Sequence, residues 1–172
     1  VRPLQEAIRR QGDEVAWFTH GMPDHYLQSD EQQLKTVAEV KHYRPDAIFV
    51  CGNWVPDFFP GIKVQIFHGF GIVKKGHFRI RGFFDLYCTH GPLTTKPFQA
   101  AAEKQGYFHV AETGWPKTDP LFPAGVADTW RKEHSIDQPI ILYAPTFSPA
   151  FTSAHQYLTQ TARLATDGRR HW

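Results

Sequence analysis

The feature that most constrains this chain is an alternation of short apolar runs with longer amphipathic stretches, most of the runs ending at a glycine. The runs "DEVAWFTHG", "DAIFVCGN", "KVQIFHG", "FDLYCTHG", "FHVAETG" and "IILYAPTF" have strand length and are rich in β-branched and aromatic residues. Between several of them lie the helix-like stretches "SDEQQLKTVAEVKHY", "TTKPFQAAAEKQG" and "GVADTWRKEHS". Ser29 is the expected N-cap of the first, and Gly106 the expected C-cap of the second. Continuous apolar strands joined by amphipathic crossovers predict an α/β fold with a mostly parallel sheet covered on both faces. The opening segment, "RPLQEAIRRQG", reads as a helix where an open α/β fold would begin with a strand, so the chain is expected to be an internal piece with its first strand missing.

Composition sets the scale. At 172 residues and 41% hydrophobic content the chain can bury one good core, or one domain and part of another. Pro116, Pro120, Pro123 and Pro139 surround a loop and one helix, which places the expected division there: a first domain over 1–125, a linker helix over 126–138, and the opening strand and helix of a second α/β domain over 139–172. The formal charge of +2 excludes a chain that is basic all over. Any polyanion contact must then come from the cluster Lys74, Lys75, Arg79 and Arg81. Cys51 and Cys88 sit inside apolar runs without Cys-x-x-Cys spacing, so buried thiols and a reducing cytoplasm are expected. No run approaches the ~20 apolar residues of a membrane span.

In a parallel sheet the C-terminal strand ends share one edge, and ligands of open α/β folds bind outside that edge. Five runs end at Gly21, Gly52, Gly69, Gly91 and Gly114, and three of these carry His-Gly, at His20, His68 and His90. Histidines are thereby expected on the binding edge. After His68 comes "GFGIVKKGHFRIR", which fails as a Walker A loop and as a dinucleotide fingerprint at the residues that touch phosphate. It approaches an RNA-recognition motif only briefly, and Phe83 and Phe84 run on into the next strand as expected core. No zinc or serine-hydrolase signature is present in the sequence. What remains is a strand-end loop with a histidine and flexible cations, suited to moving a phosphorylated group. His68 would serve as base, Lys74, Lys75 and Arg79 would offset phosphate charge, and the amides of Gly69 and Gly71 would form an anion nest.

Four blocks in order, "FHGFGIVKKG", "FFDLYCTHG", "ETGWPKTDPL" and "ILYAPTF", resemble the CDP-glycerol glycerophosphotransferases of teichoic-acid and surface-polysaccharide synthesis, over about Val64 to Phe147. The resemblance implies a GT-B-like enzyme of two Rossmann-like domains, acceptor mainly on the first and nucleotide donor mainly on the second. It implies His68 as the general base that deprotonates an acceptor hydroxyl for attack on CDP-glycerol, with CMP expelled and no cofactor or metal. Lys74 and Lys75 match the family's basic residues, and Lys117 stands where an Arg is usual. Gly114, Pro116 and Asp119 match the third block, while Pro145 and Thr146 match the strand that opens the donor side. After that strand Phe147 and Ser148 depart from the family's aromatic-Arg pattern, and the family's second half is absent, so this chain alone is expected to be inactive. The implied partners are a nucleotide-activated donor and a lipid-linked or polymer acceptor at the inner face of the cell membrane, with no nucleic acid. Transfer from another activated sugar or polyol, and non-catalytic binding of a phosphopolymer, are the alternatives.

Overall fold

The computed structural model describes the chain apart from residues 1, 20, 22–25, 70, 73–75, 123–125, 138, 141 and 166–172. Two compact units are present, Val1–Leu121 and Phe122–Trp172. The first is an α/β unit with parallel strands, as the alternation predicts. Its elements are α1 (Arg2–Arg10), β1 (Ala16–Phe18), β2 (Gln32–Leu34), α2 (Val37–Tyr43), β3 (Ala47–Val50), β4 (Ile62–Gln65), β5 (Leu86–Thr89), α3 (Pro92–Gln105), β6 (His109–Glu112) and a short 3-10 helix, Pro116–Leu121. The strands form two parallel sheets: β1 with β2, and a four-stranded sheet in the order β3-β4-β5-β6.

Register assigns Ile48, Val50, Gln65, Tyr87, Thr89 and Val110 to one face of the larger sheet. Helix α3 packs there. Phe98, 1% exposed, stacks on Tyr87 at 4.9 Å, and the Thr95 hydroxyl meets that of Thr89 at 2.7 Å. Burial and neighbouring Tyr107 push the Tyr87 phenol up to about 12, so it stays a neutral core ring at any physiological pH. The helix begins where it does because the Thr94 hydroxyl accepts from the backbone N–H groups of His90 and Gly91. It ends at Gly106, which takes the left-handed conformation (φ 73°) and donates its N–H to the Ala102 carbonyl. Phe84 is buried and Phe83 packs beside it, as read from the sequence.

Four expectations are corrected. The stretch from Ser29 is not one helix: Gln32–Leu34 is a strand, and α2 starts from Thr36, whose hydroxyl accepts from the Glu39 N–H while Glu39 reaches back to the Thr36 N–H. The acids before it serve other partners, since Asp30 and Glu31 pair with Arg9 and Arg2 of α1. The second face of the larger sheet is covered only in part, with Phe49 39% and Ile62 52% exposed. Third, "IILYAPTF" forms no strand among its described residues; Ile140 makes an isolated bridge and 142–146 are irregular. Pro145 removes a donor from this stretch, and no neighbouring ladder forms among the described residues of its unit, so extended pairing has little to build on. The second unit instead holds α4 (Val126–Glu133) and α5 (Ala154–Ala165). Cys51 and Cys88 are free thiols, half-buried rather than fully enclosed. Among the described residues no helix is long and apolar enough to cross a membrane.

Helix α1 is fixed by one buried carboxylate. The Glu31 side chain, 0% exposed, accepts from the Arg2 guanidinium at 2.8 and 3.0 Å, from the Gln5 amide at 2.9 Å and from the Gln28 backbone N–H at 2.9 Å. The hydrogen bonds, Arg2 first, outweigh burial and hold Glu31 down at about 2, against an ordinary 4.5. A depressed carboxylate contributes stability that is complete above pH 4.5 and is lost as pH falls through about 2. Acid unfolding followed by circular dichroism should therefore be shallower in Glu31→Gln over that window, and the variant should be less stable at pH 7 by about 1–3 kcal/mol. Gly61 supplies a second test. Its φ is 80°, and a Cβ there would lie 2.2 Å from the Pro45 carbonyl oxygen, so Gly61→Ala forces the backbone apart. Urea denaturation should show a loss of at least about 2 kcal/mol, whereas a loss below about 0.5 kcal/mol would mean the turn yields freely.

Candidate active site

The C-terminal ends of β3 and β4 and the turn after β6 enclose a cleft of about 200 Å³ lined by Leu4, Cys51, Ile66, Phe67, His68, Trp115, Pro116 and Lys117. It opens on the strand-end edge, where the parallel topology places a ligand site. His68 is exposed into it. Its placement depends on Phe67, which has φ 55°, an uncommon conformation for a bulky residue. The sequence reading assigns the sharp turn after each strand to glycine, yet at this strand end the left-handed residue is Phe67 and not Gly69. Packing holds it there: the Phe67 ring lies 5.4 Å from His77, 5.4 Å from His90 and 5.5 Å from Phe98. A backbone outlier fixed by surrounding contacts at a candidate site marks a geometry that the fold maintains.

The opposite wall comes from the stretch after Gly114, whose φ of 75° turns the chain out of β6. Trp115 stands 5.4 Å from the His90 ring, and the Lys117 ammonium lies 5.3 Å from the centroid of the Trp115 ring. The floor is braced by Gln65, fully buried in β4, whose amide donates to the Cys51 carbonyl at 3.4 Å and to the Asn53 side-chain oxygen at 3.3 Å.

Of the residues named from sequence, the cleft brings together His68, Lys117 and Pro116, with His90 behind Trp115. Gly69 and Gly71 follow on the same loop, half-buried and buried. Arg79 is exposed and does not line the cleft, and neither does Asp119, exposed in the first turn of the 3-10 helix. Lys74, Lys75 and His20 lie outside the described residues. Pro145 and Thr146 belong to the second unit, half-buried and exposed respectively. Leu4, Cys51, Phe67 and His77 were not legible as site residues. Only His77, following "KKG" in the basic loop, carried any signal.

The electrostatics are one-sided. No carboxylate lines the cleft among the described residues, and its chargeable walls are His68 and Lys117. Burial pushes the Cys51 thiol up, with Lys117 opposing only in part, so Cys51 is a protonated apolar wall. Burial, then the charge of His68, lowers His77; burial, then His77, lowers His90. Two neutral imidazoles thus stand behind the exposed one. Among the described residues no group of three or more His, Cys, Asp or Glu is placed to hold a metal ion. An arrangement of this kind can take a small anionic group against Lys117 and present a hydroxyl to His68.

Compared with known proteins, the chain matches no family model, no curated protein and no solved structure.

A depressed histidine costs stability when it is forced to charge, so this cost is absent above pH 6.5 and grows as pH drops toward the lowered values of His77 and His90. His77→Phe keeps an aromatic ring against Phe67 and removes one titrating group. Urea midpoints of this variant should fall less between pH 7 and pH 5 than those of the parent. An equal fall would remove His77 from the buried neutral pair.

Proposed function

We propose that the first unit is the acceptor-side domain of a transferase that moves glycerol phosphate from CDP-glycerol to a hydroxyl of a polymer or lipid-linked acceptor and releases CMP. The observation that carries this reading is the cleft itself: a strand-end site, free of carboxylates among the described residues, lined by an exposed His68 and by Lys117 over the Trp115 ring. The four-block resemblance selects this chemistry from the phosphate-handling reactions that such a site admits. At about 200 Å³ the cleft has roughly seven times the ~30 Å³ that a water occupies in the liquid. A polyol phosphate terminus fits that scale.

In this reading the acceptor's terminal hydroxyl donates its proton to the His68 imidazole as its oxygen attacks the glycerol-bearing phosphorus. The bond from that phosphorus to the bridging oxygen breaks, and CMP leaves with the electron pair. Lys117 offsets charge on an acceptor phosphate, as a flexible point charge rather than a bidentate fork. His77 and His90, kept neutral by burial, add no competing positive charge at neutral pH. Donor binding falls to the family's second half, to which Pro145 and Thr146 would belong. Arg79, Gly69, Gly71 and Asp119 remain assigned to phosphate or acceptor contacts by position in the sequence alone.

The test is CMP release from CDP-glycerol by the product of the full reading frame, with a glycerol-phosphate polymer as acceptor. His68→Ala should lower kcat by about 10²–10⁴-fold, the range of general acid–base catalysis, with KM for the acceptor nearly unchanged. Lys117→Ala should chiefly raise that KM. Acceptor-dependent release that survives His68→Ala within about threefold would remove His68 as base.

A further inference from the structure

The two sheets of the first unit read as one sheet with a strand taken out. Strand β1 pairs only with β2, and β3 only with β4, among the described residues. Each therefore presents one open edge. Both belong to a shared core: Leu34 of β2 is one of its buried residues, and Ala16 of β1 packs against it together with Ile48 and Val50 of β3. Phe18 of β1 also meets Phe59 at 5.4 Å, edge to face.

The burial of these strands is at odds with their sequences. "AIFV" is a continuous apolar run of the kind that fills the interior of a parallel sheet, yet no residue of β3 is buried and Phe49 is 39% exposed. "AWF" in β1 is likewise without a buried residue, and Phe18 is 38% exposed. Natural sheet edges are protected by lysine, proline or a bulge. Neither Ala16–Phe18 nor Ala47–Val50 contains a charge or a proline.

Connectivity gives the sense of what is missing. Leu4, in the first turn of α1, lines the same cleft as Cys51, just beyond β3, and Ile66–His68, just beyond β4. The N-terminus of α1 is therefore at the C-terminal edge of the sheet. From there α1 leads through Gln11–Val15 into β1, which is the second half of a β-α-β unit. In a doubly wound sheet of order 3-2-1-4-5-6 the first strand lies between the second and the fourth. Taking β1, β2 and β3 as second, third and fourth, removal of the first strand leaves the observed pairings, β1 with β2 and β3 with β4, β5 and β6.

We infer that a parallel apolar β-strand, supplied by polypeptide directly N-terminal to α1, inserts between β1 and β3 and pairs with both open edges. Its C-terminal end emerges beside Leu4 and Cys51, so the turn that joins it to α1 forms a further wall of the cleft. The inference stands on sheet order and burial and is independent of the chemistry proposed for the site.

Hydrogen exchange read by mass spectrometry tests it, on the 172-residue chain and on the same chain lengthened by the residues its reading frame encodes immediately upstream. In the shorter chain, amides of Ala16–Phe18 and Ala47–Val50 should exchange at least about tenfold faster than those of Leu86–Thr89. In the longer chain they should slow by at least about tenfold while Leu86–Thr89 stays unchanged. Unchanged exchange of β1 and β3 in the longer chain would overturn the inference. So would upstream residues with no apolar segment of strand length. Protection that rises with concentration in the shorter chain, together with dimers in sedimentation, would assign the open edges to a second copy and also overturn it.

Discussion

The site depends on one packing arrangement, the contact of Phe98 with Tyr87 and Phe67. Tyr87 is the centre of the sheet's covered face, and Phe98 lays α3 across it. The same Phe98 ring touches Phe67 at the end of β4, holding a residue whose φ of 55° would otherwise relax. Full burial of a phenylalanine side chain contributes about 1.5–3 kcal/mol, comparable with the ~1–3 kcal/mol of an unfavourable backbone region. Core packing thereby offsets the cost of turning His68 outward. His77 and His90 complete the ring of contacts around Phe67, which is why two histidines near the site act as packing groups with depressed basicity.

Much of the fold was legible in sequence because its signals are local. Apolar runs at Ala47–Val50, Ile62–Gln65, Leu86–Thr89 and His109–Glu112 are strands, and Gly106 ends its helix as read. The misreadings occurred where partners decide. Helical spacing in "SDEQQLKTVAEV" could not reveal that Asp30 and Glu31 are committed to α1, or that Thr36 has the better reciprocal cap. The apolarity of "IILYAPTF" promised a strand, but pairing requires a neighbour. The His-Gly pattern located the edge of the sheet without showing that the strained residue would be the phenylalanine before it. Leu4 was beyond sequence reasoning altogether, since its place in the cleft comes from the salt bridges that dock α1.

Charge makes the cleft a candidate site for an anion despite a chain close to neutral. The described walls offer Lys117 and an exposed imidazole, with no carboxylate to compete. Lys117 over Trp115 is a cation held by an aromatic face and by no acid that lines the cleft. Lys117 itself is exposed, so its attraction for an arriving anion is screened by water and salt.

The most direct measurement is a nuclear magnetic resonance titration of the protein with glycerol 3-phosphate, following the side chains of His68, Trp115 and Lys117. Saturable shifts confined to these residues and to the neighbouring Cys51 and Phe67, weakening with added salt, are the predicted result. Shifts that fall elsewhere, or none at millimolar ligand while the protein stays folded, would contradict an anion-binding cleft at the strand ends.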